Sequence, residues 1–246
     1  MTLTRASDFE FRNRWWVFGA IFGATFFLLS FDPVPVGSKL ADRLAVLARL
    51  SDRLALHLVF GGGALIMLAA ALLRTWGSAY LGREVVHGAS VHTEALRADG
   101  PYRHVRNPLY LGNVMMAFAM GLFAPRIGCP ILVIGIWLFC YRLIGREEAA
   151  LEARQGEAYR TFERAVPRLW PSLRARIPPT GGRPDWINGV AAEAFFWPYA
   201  IGVAGFAFFL NIWWFFIPLA LSPLVSWLAG LAIRGRKRPS ASASQA

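Results

Sequence analysis

Between residues 54 and 73 the chain runs for twenty residues with His57 as the only ionisable side chain. A helix needs about 20 apolar residues to cross the hydrocarbon of a bilayer, so this stretch alone points away from a soluble domain. Five further apolar runs follow the same pattern, at 15–31, 109–124, 131–144, about 190–210 and about 212–233. Charged residues make up only 17% of the chain and hydrophobic ones 56%, against about a quarter and ~45–50% in soluble domains. The chain therefore reads as an all-α, polytopic helical membrane protein. It should have about six transmembrane helices, some continuing as cytoplasmic helical extensions.

The boundaries divide the chain further. An N-terminal span and an interfacial segment occupy 1–53, and a core of three spans with polar stretches occupies 54–172. A cytoplasmic linker follows at 173–189, then a two-helix hairpin at 190–233 and a basic tail at 234–246 that is expected to be disordered. The first run competes with a signal peptide, but residues 32–39 offer no small-residue cleavage site, so it reads as a retained span. Leu40, Leu44, Leu47 and Leu54 recur at near-helical spacing among charges, which reads as an interfacial helix or as an extension of the second span. Glycines inside the runs (Gly19, Gly23, 61–63, Gly202, Gly205) allow close helix packing, or a ligand groove. Two cysteines, Cys129 and Cys140, make no disulfide framework.

The formal charge is +11. A basic chain invites a nucleic-acid reading, but cytoplasmic loops of membrane proteins collect Lys and Arg during insertion. With six spans, 21 of the basic residues fall on one face and 5 on the other. The expected location is thus an integral, bacterial inner (cytoplasmic) membrane, with both termini and the polar stretches in the cytoplasm and no nucleic-acid partner.

Polar residues gather in two of the cytoplasmic stretches, 87–110 and 142–171. In the first, Arg103 and Arg106 directly precede a span that starts at Pro108, a residue well suited to the first helical turn. A helix N-terminus favours an anionic group, and the two arginines add charge there; ordinary topology anchoring is the other reading. The second stretch reads as one long helix leaving the fourth span, with Glu147 and Glu148 just beyond the apolar run. Two adjacent carboxylates suit a cationic ligand, or a solvated face with Glu148 and Glu152 one turn apart. Tyr159 and Phe162 share a helix face, as a packing stripe or a stacking wall. His87, His92 and His104 lack the tight pairing of metal ligands, so no metal is expected. No nucleophilic triad and no phosphate-binding loop is present.

The run from Gly100 to Gly112, GPYRHVRNPLYLG, resembles the GPYRxxR[HN]PxYxG signature of the isoprenylcysteine carboxyl methyltransferase and phospholipid methyltransferase superfamily. The run from Glu147 to Arg168 resembles its second signature, an EExxL motif followed by GxxYxxY and VPR. The two occur in the family's order, separated by an apolar hairpin. The resemblance implies a membrane methyltransferase that uses S-adenosylmethionine on a membrane lipid or lipid-modified acceptor, with the cofactor entering from the cytosol. It places Glu147 and Glu148 at the cofactor and Arg106 and Asn107 at the chemistry, with Tyr102, Arg103, Pro108, Tyr110 and Tyr159 as further cofactor contacts. Asn107 stands where many members have His. Asn hydrogen-bonds but cannot act as a base near neutral pH, which argues against proton abstraction from this position. Phe162 stands where Tyr is usual. Methyl transfer needs alignment and exclusion of water rather than a nucleophilic side chain. A transporter, a non-catalytic scaffold and a related NADPH-dependent membrane reductase are the alternatives. The near absence of mid-span charges counts against the first.

Overall fold

The structure is a computed structural model describing residues 4–81 and 98–237. Ten α-helices appear among them and no β-strand. A short α1 (Asp8–Arg12) leads into α2 (Arg14–Phe27), and α3 (Val36–Ala48) precedes α4 (Asp52–Leu81). A 3-10 turn at Gly100–Arg103 introduces α5 (Pro108–Gly121). Then come α6 (Gly128–Gln155), α7 (Glu157–Ala165), α8 (Trp186–Ala192), α9 (Phe196–Phe209) and α10 (Trp213–Lys237).

All six apolar runs are helical, but their lengths differ. Helices α4, α6 and the 213–233 part of α10 are long and apolar enough to cross a membrane, and α8 with α9 makes a fourth span if the bent pair counts as one. The 15–31 run forms an apolar helix at Arg14–Ser30 that is shorter than a full crossing. Helix α5 has 14 residues, about 21 Å at ~1.5 Å per residue, against a hydrocarbon core of about 30 Å. Among the described residues, three helices, or four with the bent pair counted as one, are thus long and apolar enough to cross, and the expected six are not all of that length. The protein remains an integral membrane protein by its exposed apolar surface: Leu65, Phe208 and Trp227 are each at least 60% exposed. Such surface suits lipid, not water.

Helix α4 is the axis of the bundle and packs against α3, α5, α8 and α9. Its Phe60, Met67 and Ala71 are buried with Ala117 and Met120 of α5 and Val203 of α9. Small residues allow the approach: a Cβ on Gly63 would press into Leu122, and one on Gly202 would meet the backbone of α10. Gly19 and Gly61, by contrast, face open space. Close packing thus explains some of the span glycines and leaves others unexplained. Helix α3 settles the alternatives left open for residues 40–54. It is separate from α4, ends at Arg49 in a left-handed conformation, and buries Ala41 and Ala45 against Ala55.

Three expectations about continuity are corrected. The stretch after the fourth span is not one helix: α6 stops at Gly156, whose φ of +58° suits glycine, and α7 restarts at a new angle. The fifth run is broken between α8 and α9 by a 70° bend. The first part of the expected tail, 234–237, is still helical, and 238–246 lies outside the described residues.

The N-terminus is tied to α6 on its polar half. Glu10 accepts from Arg142 at 2.7 and 3.2 Å, and Ala6 N–H donates to the Arg142 carbonyl. The Arg142 guanidinium holds the Glu10 carboxyl down at about 2. A carboxyl lowered in the folded state stabilises the fold above its unfolded value, 4.5, and loses that contribution as pH falls towards about 2. Thermal unfolding in detergent should therefore separate the parent from Glu10→Gln at pH 6, with the gap closing between pH 4.5 and about 2. A gap that persists at pH 2 would contradict the assignment.

Candidate functional site

Asn107 occupies the position before the first turn of α5, and Pro108 opens the helix. This sets Arg106, Asn107 and Tyr110 at one end of α5. The second motif arrives from the other side. Helix α6 carries Glu147 and Glu148, and the break at Gly156 turns α7 back so that residues 166–168 run beside Arg106. The Arg106 N–H donates to the Pro167 carbonyl at 2.9 Å, so the two signatures meet through backbone as well as side chains.

Glu148 is the hub. It is 7% exposed and accepts from Arg168 through Nε at 2.8 Å and Nη2 at 2.7 Å. Asn107 Nδ2 donates to its other oxygen at 3.1 Å and to the Arg168 carbonyl at 3.2 Å. Arg106 Nε lies 3.4 Å from Glu148, near enough for attraction between charges. That Nε is nevertheless buried without a hydrogen bond among the described residues. Arg106 Nη1 donates to the Glu163 carbonyl at 3.2 Å and pairs with its carboxylate at 3.0 Å. The guanidinium is only 8% exposed, which excludes a snorkelling anchor on lipid phosphates.

Glu147 faces a different neighbourhood. Successive helical residues point about 100° apart, at 3.6 residues per turn. Glu147 accepts the Tyr110 hydroxyl at 2.7 Å, and the positive charge of buried Arg14 on α2 acts on both. The acidic pair is thus split. Glu148 is saturated by two arginines and an amide, whereas Glu147 makes one hydrogen bond among the described residues and keeps accepting capacity. The solvated-face reading fails for both; it holds for Glu152, which pairs with exposed Arg160.

The other residues singled out by the sequence sit at the margin. Arg103 Nε donates to the Ile177 carbonyl at 2.9 Å, and its own carbonyl accepts from Arg176, so it is turned to the segment after Pro171 rather than into the site. Tyr102 is buried beside Gly77 of α4. Tyr159 is 2% exposed and packs with Ala98, Phe162 and Val166, the packing stripe rather than a stacking wall; burial pushes its hydroxyl pKa up. His104 is tied to the Ser172 carbonyl at 2.8 Å, and His87 and His92 lie outside the described residues. Residues 172–185 form a strap along the first motif. Asp99 fastens it, accepting from the Thr180 hydroxyl at 2.5 Å and from the backbone N–H groups of Thr180 and Gly182. These bonds, the Thr180 hydroxyl first, hold the Asp99 carboxyl below its usual value.

One buried cluster went unread in the sequence. Arg74 of α4 is 3% exposed. It donates to Glu193 at 2.6 Å, to the Leu109 carbonyl at 2.8 Å and to Asn113 at 2.7 Å, with its guanidinium 3.8 Å from the centre of the Phe196 ring. Ser78 donates to the other oxygen of Glu193 at 2.5 Å. Glu193 is completely buried and sits where α8 breaks from α9. The cluster supports α5 from behind the site. Its signal was available: an arginine ending one apolar run and a carboxylate opening another are opposite charges with a common need for a partner.

The arrangement offers opposite charges side by side. Glu147 retains lone pairs suited to an ammonium, and the buried Nε of Arg106 retains a donor suited to a carboxylate. A zwitterionic amino-acid end, as S-adenosylmethionine carries, matches that donor set in kind. Residues 58–157 match the phospholipid methyltransferase family. The match supports a membrane methyltransferase at the level of the family. No curated protein and no solved structure matches the chain.

Proposed function

We propose that this chain, whose residues 58–157 match the phospholipid methyltransferase family, transfers a methyl group from S-adenosylmethionine to a lipid or lipid-modified acceptor bearing a carboxylate or an amine. The observation that carries the reading is the meeting of the two motifs: Asn107 and Glu148, 41 residues apart, are hydrogen-bonded, with Arg106 and Glu147 flanking them. When bound, the cofactor supplies a methyl group made electrophilic by a positively charged sulfur. The protein's part is to hold and orient. Glu147 receives the ammonium end, its orientation fixed by the Tyr110 hydroxyl. Arg106 receives a carboxylate through its unused Nε. Asn107 keeps the Glu148–Arg168 pair in place and removes no proton, so the acceptor brings its own lone pair. The apolar walls of α5 and α6 exclude water and admit a lipid from the bilayer.

The test is transfer of labelled methyl from S-adenosylmethionine into a membrane lipid extract by the purified chain. Absence of both transfer and cofactor binding defeats the proposal, and NADPH binding in their place returns the reductase. The split of the acidic pair sharpens the expectation for variants. Glu147→Gln should keep the fold and weaken S-adenosylmethionine binding by roughly 10- to 150-fold, the loss of a charge-assisted bond. Glu148→Gln should also lower the unfolding temperature, because it leaves Arg106 and Arg168 short of a partner. Calorimetric titration and thermal unfolding separate the two; equal behaviour would contradict the division of roles.

The site is assigned to the cytoplasmic side of the membrane by the distribution of basic residues. Reporter fusions after Ile233 and within 174–186 should both read cytoplasmic. An external signal at one position would break the two-helix hairpin, and external signals at both would reverse the orientation.

A further inference from the structure

At the end of α4 remote from the site, a groove of about 700 Å³ runs between α4 and α9. Its volume lies within the ~300–1,000 Å³ of ligand pockets. Arg53, His57, Gly61 and Ala64 line it from one α4 face, and Ala204 and Phe208 from α9. Arg53 and Arg74 are 21 residues apart on one helix, about 32 Å at ~1.5 Å per residue. The groove therefore opens near the opposite membrane face from the candidate site.

Its two ends differ chemically. Arg53 is exposed and makes no ion pair or hydrogen bond among the described residues. His57 is bonded through Nδ1 to the Ala207 carbonyl at 2.7 Å, which fixes the ring across the two helices and leaves Nε2 without a partner among the described residues. Beyond them the lining is apolar. Gly61 faces open space, with nothing within 4 Å of where a Cβ would stand, so no side chain blocks the middle of the groove. The surrounding segment, 39–53, carries Lys39, Arg43, Arg49 and Arg53 against Asp42 and Asp52, an excess of positive charge.

We propose that this groove binds an anionic phospholipid, its phosphate on Arg53 beside His57 and an acyl chain along Gly61, Ala64 and Phe208. A polar mouth with an exposed guanidinium and an apolar groove beyond it complements that molecule. A free anion would leave the apolar lining uncovered, and a zwitterionic lipid would bring a second cation to a mouth already in positive excess. The site is separate from the proposed reaction and does not depend on it.

The test uses the full chain in mixed micelles holding equal amounts of phosphatidylglycerol and phosphatidylcholine, with retained lipid read by native mass spectrometry. Phosphatidylglycerol should be retained over phosphatidylcholine. Arg53→Gln, at an exposed position, and Gly61→Leu, whose side chain enters open space, should each reduce that retention by about tenfold or more, with helicity unchanged by circular dichroism. Excess inorganic phosphate should not displace the lipid. Equal retention of the two lipids overturns the proposal, as does unchanged retention in either folded variant. So do displacement by phosphate alone, which indicates a free-anion site, and a dimer of the parent that Gly61→Leu dissociates, which indicates a second copy in the groove.

Discussion

Glu193→Ala should destabilise the protein by about 3–5 kcal/mol, the cost of leaving one member of a buried ion pair without its partner. Arg74, 3% exposed in the parent, would keep Asn113, the Leu109 carbonyl and the Phe196 ring as its partners among the described residues. None of these carries a negative charge. Ser78 would lose its acceptor as well. Replacing both charges together, Arg74→Leu with Glu193→Leu, should recover a large part of the loss, because a well-packed apolar pair avoids the cost of desolvating two ions. Thermal unfolding in detergent reads both variants. If Glu193→Ala matches the parent, the pair is not buried as described; if the double variant is worse than the single, the charges contribute more than their mutual neutralisation. Methyl transfer gives a separate readout. Arg74 holds α5 through Leu109 and Asn113, so a double variant that folds should still show reduced activity if the cluster positions the site.

Arg106→Lys is expected to insert correctly and to lose methyl transfer by roughly 10- to 150-fold, the equivalent of one lost hydrogen bond to a charged group. Lysine keeps the positive charge but not the planar fork. In the structure that fork is divided: Nη1 binds Glu163, and Nε is buried near Glu148 with its donor unused. An ammonium can satisfy one direction but cannot also present the second donor at a fixed angle. Comparison of the rate of methyl transfer with the affinity for S-adenosylmethionine locates the loss. Activity near that of the parent would remove Arg106 from the site, although its burial already distinguishes it from a surface anchor.

The local signals in the sequence held well. Pro108 opens α5, the 131–144 run continues as helix towards Gln155, and Arg106, Asn107, Tyr110, Glu147 and Glu148 meet at one end of the α5–α6 hairpin. These are consequences of helical periodicity, of proline's missing N–H and of a two-helix turn, all of which act over a few residues. The identity of the two motifs was legible for the same reason: each is a short run with its chemistry in fixed order. Arg103, Tyr102 and Tyr159 lie in those runs too, yet they turn to the strap, to α4 and to a packing cluster.

What the amino-acid order determined by itself was the helical membrane class and the two short motifs whose residues the fold brings together. Runs of apolar residues without polar alternation leave the backbone no other way to satisfy its hydrogen bonds in lipid. Only the tertiary structure decided how the two adjacent carboxylates divide their partners, why the fifth run breaks, and which arginine lies behind the site. Glu147 and Glu148 differ by about 100° of helical rotation, but what each rotation meets depends on α2 and on the return of the chain after Gly156. Arg74 and Glu193 are 119 residues apart. No local propensity links them; they pair because two charges brought into an apolar interior stabilise each other where water is absent.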